Sequence, residues 1–154
     1  AVTTAGNASG LNDAAAALVM CSRDYADAHG LAPLAVIRGW ASAGVDPAET
    51  GLAPTKALPL ALAKAGVTLA DLQSVEINEA FASMAVASTR ILGLDPAIVN
   101  VNGSGCSLGH PIGCTGARMI VTMINELART DAQWGAVAMC AAGGMGSATI
   151  IERV

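Results

Sequence analysis

The sequence predicts an α/β domain in which a mixed β-sheet is layered with α-helices. Short β-branched segments alternate with stretches of helical period, two apolar segments near the end read as a hairpin, and glycine or proline stands at most junctions. At 154 residues the chain is long enough for one domain with a full core and too short for two ordinary ones.

The chain opens on a small, polar loop, AVTTAGNASGLND, followed by an Ala-rich helix from about Asp13 to His29, with Asn12 or Asp13 as cap and Gly30 as C-cap. The loop reads either as ordinary capping or as a binding loop, whose N–H groups and Ser9 meet a carbonyl or phosphate at the helix N-terminus. A loop this specialised leads us to expect further chain before it. His29 reads as a solvated cation at the end of that helix.

Leu34 to Ala41 is the first strand, and a loop with Gly44, Pro47, Gly51 and Pro54 follows. A helix from Leu58 to Ala65 has Pro59 in its first turn and Gly66 closing it. Val75 to Asn78 is a strand emptying into a helix, Glu79 to Leu92, with Phe81, Met84, Ala85, Ile91 and Leu92 as its buried face. Asn78 therefore stands at the C-terminal end of a strand, either as a helix cap or as a binding group. Ile98 to Val101 is a third strand. Pro111 then opens the first turn of a helix running to Thr130, whose Met119, Ile120, Met123, Ile124 and Leu127 recur at helical spacing. Ala136 to Cys140 and Ser147 to Val154 are the hairpin, joined by the narrow turn Ala141 to Gly146. The Cys140 thiol, at a strand end, is either aimed above the sheet or packed as a small hydrophobe.

Composition narrows the classes of function. Hydrophobic residues make up 53 % and charged residues 13 % of the chain, about half the roughly 25 % charge usual in soluble domains, which predicts a large buried interface. A net charge of −4, no Lys/Arg run and few aromatic rings argue against nucleic acid and anionic membrane surfaces. No run is long and apolar enough for a membrane span, no signal peptide is evident, and four cysteines without a C-x-x-C pair fit reduced thiols, so a cytoplasmic location is expected.

One stretch reads as a site. Asn102 to Arg118, NGSGCSLGHPIGCTGAR, surrounds His110 with five glycines and a proline. Gly103, Gly105 and Gly109 permit left-handed or crowded backbone, and Pro111 keeps His110 out of helical conformation. Facing a helix N-terminus, the imidazole is expected to stay neutral, able to accept a proton or donate one hydrogen bond. Cys106, His110 and Cys114 have helical spacing, yet Gly109 and Pro111 break any helix through them, so they read as packing residues and not as a metal site.

Taken together, NEAFA at Asn78–Ala82, GHPIGCTGAR at Gly109–Arg118, CAAGG at Cys140–Gly144 and TAGNASGLNDAAA at Thr4–Ala16 resemble the motifs of the C-terminal half of the thiolases, the acyl-CoA C-acyltransferases. The resemblance covers essentially the whole chain. It implies two-step acyl transfer with coenzyme A thioesters as substrates and no further cofactor. His110 would activate a cysteine nucleophile and then donate to the thioester oxyanion, and Asn78 would hold the water that completes the oxyanion hole. Cys140 would move the α-proton, its thiol tuned toward neutral pKa by N–H groups of the turn that follows. Ser9, Phe81 and Gly109 would contact substrate or CoA, and the backbone at Ala142 and Gly143 would form a second oxyanion hole. The family has glycine where Ala142 stands, which strains the turn if φ is positive there. Cys106 and Cys114 replace residues that are commonly alanine.

The resemblance also implies a partner, since no cysteine here matches the acyl-accepting nucleophile of the family's N-terminal half. Thiolases are dimers or tetramers, so a homo- or hetero-oligomer is expected as well. Two other readings compete. A ketoacyl synthase of similar fold would need a second histidine where Cys140 stands, and a non-catalytic scaffold or acyl-CoA-binding subunit would have no need of the trio Asn78, His110 and Cys140.

Overall fold

The computed structural model describes residues 2–154 and shows a four-stranded mixed sheet between helices. In chain order the elements are α1 (Arg23–Ala28), β1 (Ala35–Gly44), α2 (Pro54–Ala65), β2 (Ser74–Ile77), α3 (Ala82–Leu92), the single turn α4 (Gly105–Leu108), α5 (Thr115–Thr130), β3 (Trp134–Ala141) and β4 (Met145–Arg153). The sheet order is β1-β4-β3-β2; the first three strands pair antiparallel and β2 lies parallel to β3, with Ile77 opposite Ala138. The hairpin β3/β4 closes on Ala141 opposite Met145, as its apolar alternation and glycine turn predict.

Helices cover both faces of the sheet. On one side Ala57, Leu58, Ala61 and Leu62 of α2 are buried against Val75, Ile77, Ala136, Ala138 and Ile150. On the other, Met119, Met123 and Leu127 of α5 pack on Val137 and Ile151. Each fully buried large apolar side chain removes enough surface from water to contribute about 1.5–3 kcal/mol, so these two seams fix the sheet beneath the site.

Several elements depart from the sequence reading, each for a packing reason. The helix expected over Asp13–His29 is reduced to α1, capped by Ser22 Oγ, which accepts from Tyr25 N–H at 3.2 Å. Residues 13–22 carry good helix formers, but Val19 is 98 % and Met20 69 % exposed, and propensity without a packed face does not hold a helix. His29 is the C-cap of α1, stacked on Tyr25 with its ring nitrogen 2.8 Å from the Tyr25 carbonyl. In α2 the first-turn proline is Pro54, and Pro59 lies inside the helix on its exposed side. α3 starts at Ala82 instead of Glu79, and its buried face is Met84, Ala85, Ser88 and Thr89; Phe81 and Ile91 are exposed. The third predicted strand is a lone parallel bridge, Val99 to Val75, because Asp95 and Pro96 begin a tight turn just before it. α5 begins one turn after Pro111, whose carbonyl accepts the Thr115 N–H at 2.9 Å.

The surface is large for the mass and carries exposed apolar side chains. The chain exposes 8189 Å², against about 7,100 Å² for a monomer of this mass. Leu11, Val19, Met20, Leu34, Trp40 and Ile112 are each at least 66 % exposed. Among the described residues no helix is long and apolar enough to cross a membrane.

Candidate active site

Two loops leave the C-terminal ends of the parallel pair β2 and β3, where an open α/β sheet presents its binding groups, and a third packs beside them. Asn78–Phe81 follows β2, Ala142–Gly144 follows β3, and the glycine-rich segment around α4 lies beside the first. The opening loop clasps two of them. Ser9 N–H donates to the Ala80 carbonyl at 3.0 Å, Ala8 bridges Phe81, and His110 N–H donates to the Gly10 carbonyl at 2.8 Å. Ser9 therefore sits between the motif loops and not at a helix N-terminus, since residues 13–22 form no helix.

Glycine is required twice here. Gly109 has φ of 90°, and any Cβ on it would strike the Asn12 amide; a Cβ on Gly105 would lie 2.6 Å from the Glu79 carbonyl. Together they let the histidine loop press against both the opening loop and the Asn78 loop. Cys106, expected to pack, is exposed, with its thiol 3.5 Å from the Asn7 carbonyl; Cys114 is partly buried.

Asn78 is no helix cap, because the N-cap of α3 is Phe81. It is fully buried, anchored by its N–H to the Ala138 carbonyl at 2.9 Å, and its Nδ2 lies 3.5 Å from His110 Nδ1. Its Oδ1 is buried with no protein partner, an acceptor that needs a hydrogen-bonding group brought to it. His110 is partly buried, with Nδ1 2.7 Å from Thr115 Oγ1. Its pKa lies below the ordinary 6.5, first because burial disfavours the imidazolium and second because the Arg118 guanidinium repels it. The imidazole is neutral as expected, but for a different reason. The N–H groups of Cys114 and Thr115 are spent on the Pro111 carbonyl, at 2.7 and 2.9 Å, and do not face the ring.

Cys140 is not joined to that pair. No hydrogen bond links it to Asn78 or His110 among the described residues, and its neighbour Met139 packs toward α5, so pleating turns Cys140 to the other face of β3. Burial pushes its thiol above the ordinary 9.0, against the expected tuning toward neutrality. The turn beyond it is pinned to the loop after β1: Gly144 N–H donates to Thr50 Oγ1 at 3.0 Å, and Val45 N–H donates to the Gly144 carbonyl at 2.8 Å. Positive φ falls on Gly143 and Gly144 but not on Ala142, so alanine there carries no left-handed strain.

Residues 31–153 match the family model for the thiolase C-terminal domain. The chain belongs to the thiolase family. Over 98 % of its length it is 54 % identical to the beta-ketothiolase BktB of Cupriavidus necator, and over 97 % it is 48 % identical to the 3-ketoacyl-CoA thiolase of Bacillus subtilis; it spans 38 % of each. The crystal structure of the Bacillus anthracis acetyl-CoA acetyltransferase superposes with a TM-score of 0.96 at 50 % identity, covering 99 % of this chain and 39 % of that one. Human mitochondrial 3-ketoacyl-CoA thiolase, solved in complex with CoA, superposes at 0.91 with 40 % identity, covering 99 % of this chain and 39 % of that one.

Beneath the loops of this thiolase domain lies a polar layer that motif reading missed. Glu76, in the middle of β2, forms an ion pair with Arg118 from α5, and Ser104 Oγ donates to the Ile77 carbonyl at 3.2 Å. Asn100, with φ of 53°, takes the place of a neighbouring strand at Ile77. Its Oδ1 accepts the Ile77 N–H at 2.8 Å and its Nδ2 donates to the Ile77 carbonyl at 3.0 Å. Glu79 is not a helix residue; its carboxylate accepts the Cys106 N–H at 3.1 Å and lies 3.3 Å from Asn100 Nδ2. A charged residue inside a β-branched strand was the available signal for Glu76. Asn100→Ala leaves the Ile77 N–H without its partner and the Ile77 carbonyl with the Ser104 hydroxyl alone, and puts alanine at left-handed φ, so a loss of about 2 kcal/mol in urea denaturation is expected. Asn100→Gly relieves only the dihedral cost and should recover less than half.

Proposed function

We propose that this chain is the C-terminal half of a thiolase, active only with a half that supplies the nucleophilic cysteine, and that it moves an acyl group between that cysteine and acyl-CoA or CoA. The observation that carries the reading is the Asn78–His110 pair, held neutral at the C-terminal end of β2 with an orphaned buried acceptor beside it. In the first step His110 Nε2 takes the proton of the partner cysteine. The thiolate attacks the thioester carbonyl, the carbon–sulfur bond to CoA breaks, and the departing CoA thiolate recovers the proton. In the second step, with the one hydrogen of the neutral imidazole moved from Nδ1 to Nε2, His110 and a water on Asn78 Oδ1 hold the oxyanion.

In that second step Cys140 removes the α-proton of the incoming acyl-CoA, and the carbanion displaces the enzyme cysteine from the acyl group; thiolysis is the reverse. A thiol pushed up by burial stays protonated, the form the reverse direction needs. As a base it needs more N–H donors or positive charge than the one backbone N–H that opposes the burial. We assign contacts with the CoA thioester to Ser9, Phe81 and Gly109, and the second oxyanion site to the backbone of Ala142 and Gly143. The exposed apolar surface supports an oligomeric assembly, and four free thiols support a reducing, cytoplasmic setting.

The chain alone should show no acetoacetyl-CoA thiolysis, and activity should appear on adding a nucleophile-bearing thiolase half. Robust turnover by the isolated chain would mean that Cys21, Cys106 or Cys114 is the nucleophile, and the two-half reading would fall.

A further inference from the structure

We propose that Thr115 is the positioning residue for His110, its hydroxyl choosing which imidazole nitrogen carries the hydrogen. This rests on the thiolase reading only for its kinetic consequence; the hydrogen-bond geometry stands apart from it. Thr115 is fully buried at the start of α5, and its Oγ1 has two neighbours, His110 Nδ1 at 2.7 Å and the Pro111 carbonyl at 3.1 Å. One hydroxyl hydrogen cannot serve both. The Pro111 carbonyl already accepts two backbone N–H groups, from Cys114 and Thr115, so a third hydrogen bond to it is the weaker one. The hydroxyl therefore donates to Nδ1 at rest, over the shorter distance. The Asn78 amide nitrogen, 3.5 Å from the same Nδ1, is a second donor converging on it. Two donors facing Nδ1 make it the acceptor and leave the hydrogen on Nε2.

That arrangement makes His110 an oxyanion donor. The base role needs the opposite tautomer, with Nδ1 protonated and the Nε2 lone pair free. A carboxylate at Thr115's position could only accept, and would hold the ring permanently in the second state; a hydroxyl can serve either. Turned to Pro111 as a third, longer hydrogen bond, Oγ1 accepts from Nδ1–H and the lone pair of Nε2 is released. Thr115 thus lets one histidine fill two roles without a change of ring position.

The test uses the assembled protein with histidine 15N-labelled only in this chain, where His110 and His29 are the two histidines. In the wild type the His110 Nε2 resonance should be that of a protonated nitrogen and Nδ1 that of a hydrogen-bonded acceptor. In Thr115→Val, Nδ1 should shift toward the position of a free acceptor, with the longer contact from Asn78 Nδ2 all that remains, while the tautomer stays. Acylation of the partner cysteine should slow about 10- to 100-fold, the cost of one buried N–H left unpartnered in the base tautomer. Thr115→Ser should restore both readings. A protonated Nδ1 in the wild type, which needs no variant to observe, or an unmoved Nδ1 resonance in Thr115→Val would overturn the proposal. If the resonances behave as stated while the wild-type assembly acquires no acyl group, the thiolase reading fails and the Thr115–His110 coupling stands.

Discussion

On the two-half reading, His110→Ala in the assembled protein is expected to slow acyl transfer to the partner cysteine by about 10³- to 10⁴-fold, the upper part of the range for loss of a general base, because the same deletion also removes the proposed oxyanion donor. Cys140→Ser acquires the acyl group at close to the wild-type rate and stops there, since a serine hydroxyl is far too weak an acid–base group for the α-carbon step. Intact-protein mass spectrometry after mixing with acyl-CoA reads the two outcomes separately. The geometry supports this division of labour. Asn78 and His110 form one hydrogen-bonded unit beyond the end of β2, while Cys140 stands on the neighbouring strand β3 and, among the described residues, has no hydrogen bond to either. A Cys140→Ser protein that fails to gain the acyl mass would show that the two groups act in one step, and the assignment of roles would be lost.

The acid limb of acylation follows from the same site. His110 has its pKa depressed by burial and by Arg118, so it remains an unprotonated base below pH 6.5 and loses that competence only as the pH falls through its lowered value. For stability the sign is the same. The unfolded chain binds the histidine proton first, so this contribution is fully present above pH 6.5 and is lost as the pH falls through the folded value.

The parts of the fold legible in the sequence were those where chemistry and backbone demand coincide. Gly109 beside His110 and Pro111 announces a constrained loop because few residues other than glycine fit its φ of 90°. The strand ends beside Asn78 and Cys140 follow from short β-branched or apolar runs, the second closed by a glycine-rich turn. The sequence predicts helix over residues 13–22 because alanine-rich sequence states propensity and not packing, and here Val19 and Met20 find no surface to pack on. Phe81 and Ile91 were assigned to the buried face of α3 because a helical period fixes spacing but not rotation. Asn100, Glu76 and Ser104 escaped notice because their partners lie 23 to 42 residues away, as in Asn100 with Ile77 and Glu76 with Arg118. Thr115 escaped although it lies only 5 residues from His110, since the turn at Pro111 brings it back beneath the ring.

Arg118→Met removes the cation that faces Glu76 and is expected to cost about 3 kcal/mol at pH 8, the penalty for leaving a buried carboxylate without its partner. Glu76 is 4 % exposed, and its remaining side-chain contact is the Ser104 hydroxyl at 3.4 Å. In the wild type burial already raises the Glu76 pKa above the ordinary 4.5, with Arg118 as the main opposing influence. Without Arg118 the rise is larger. A carboxyl raised in the folded state binds its proton there before it does in the unfolded chain, so stability falls as the pH climbs from 4.5 to the folded value and stays low above it. The variant should therefore regain stability between pH 8 and pH 5, the reverse of the His110 contribution, which weakens over the same interval. The double variant Glu76→Gln, Arg118→Met removes the titrating group, so it should be more stable at pH 8 than Arg118→Met alone and lose the recovery at low pH. Urea denaturation of the four proteins at both pH values forms the cycle. An Arg118→Met protein whose stability loss is the same at pH 5 and pH 8 would show that Glu76 is not the charge being stranded, and that Arg118 acts through packing of its aliphatic stem instead.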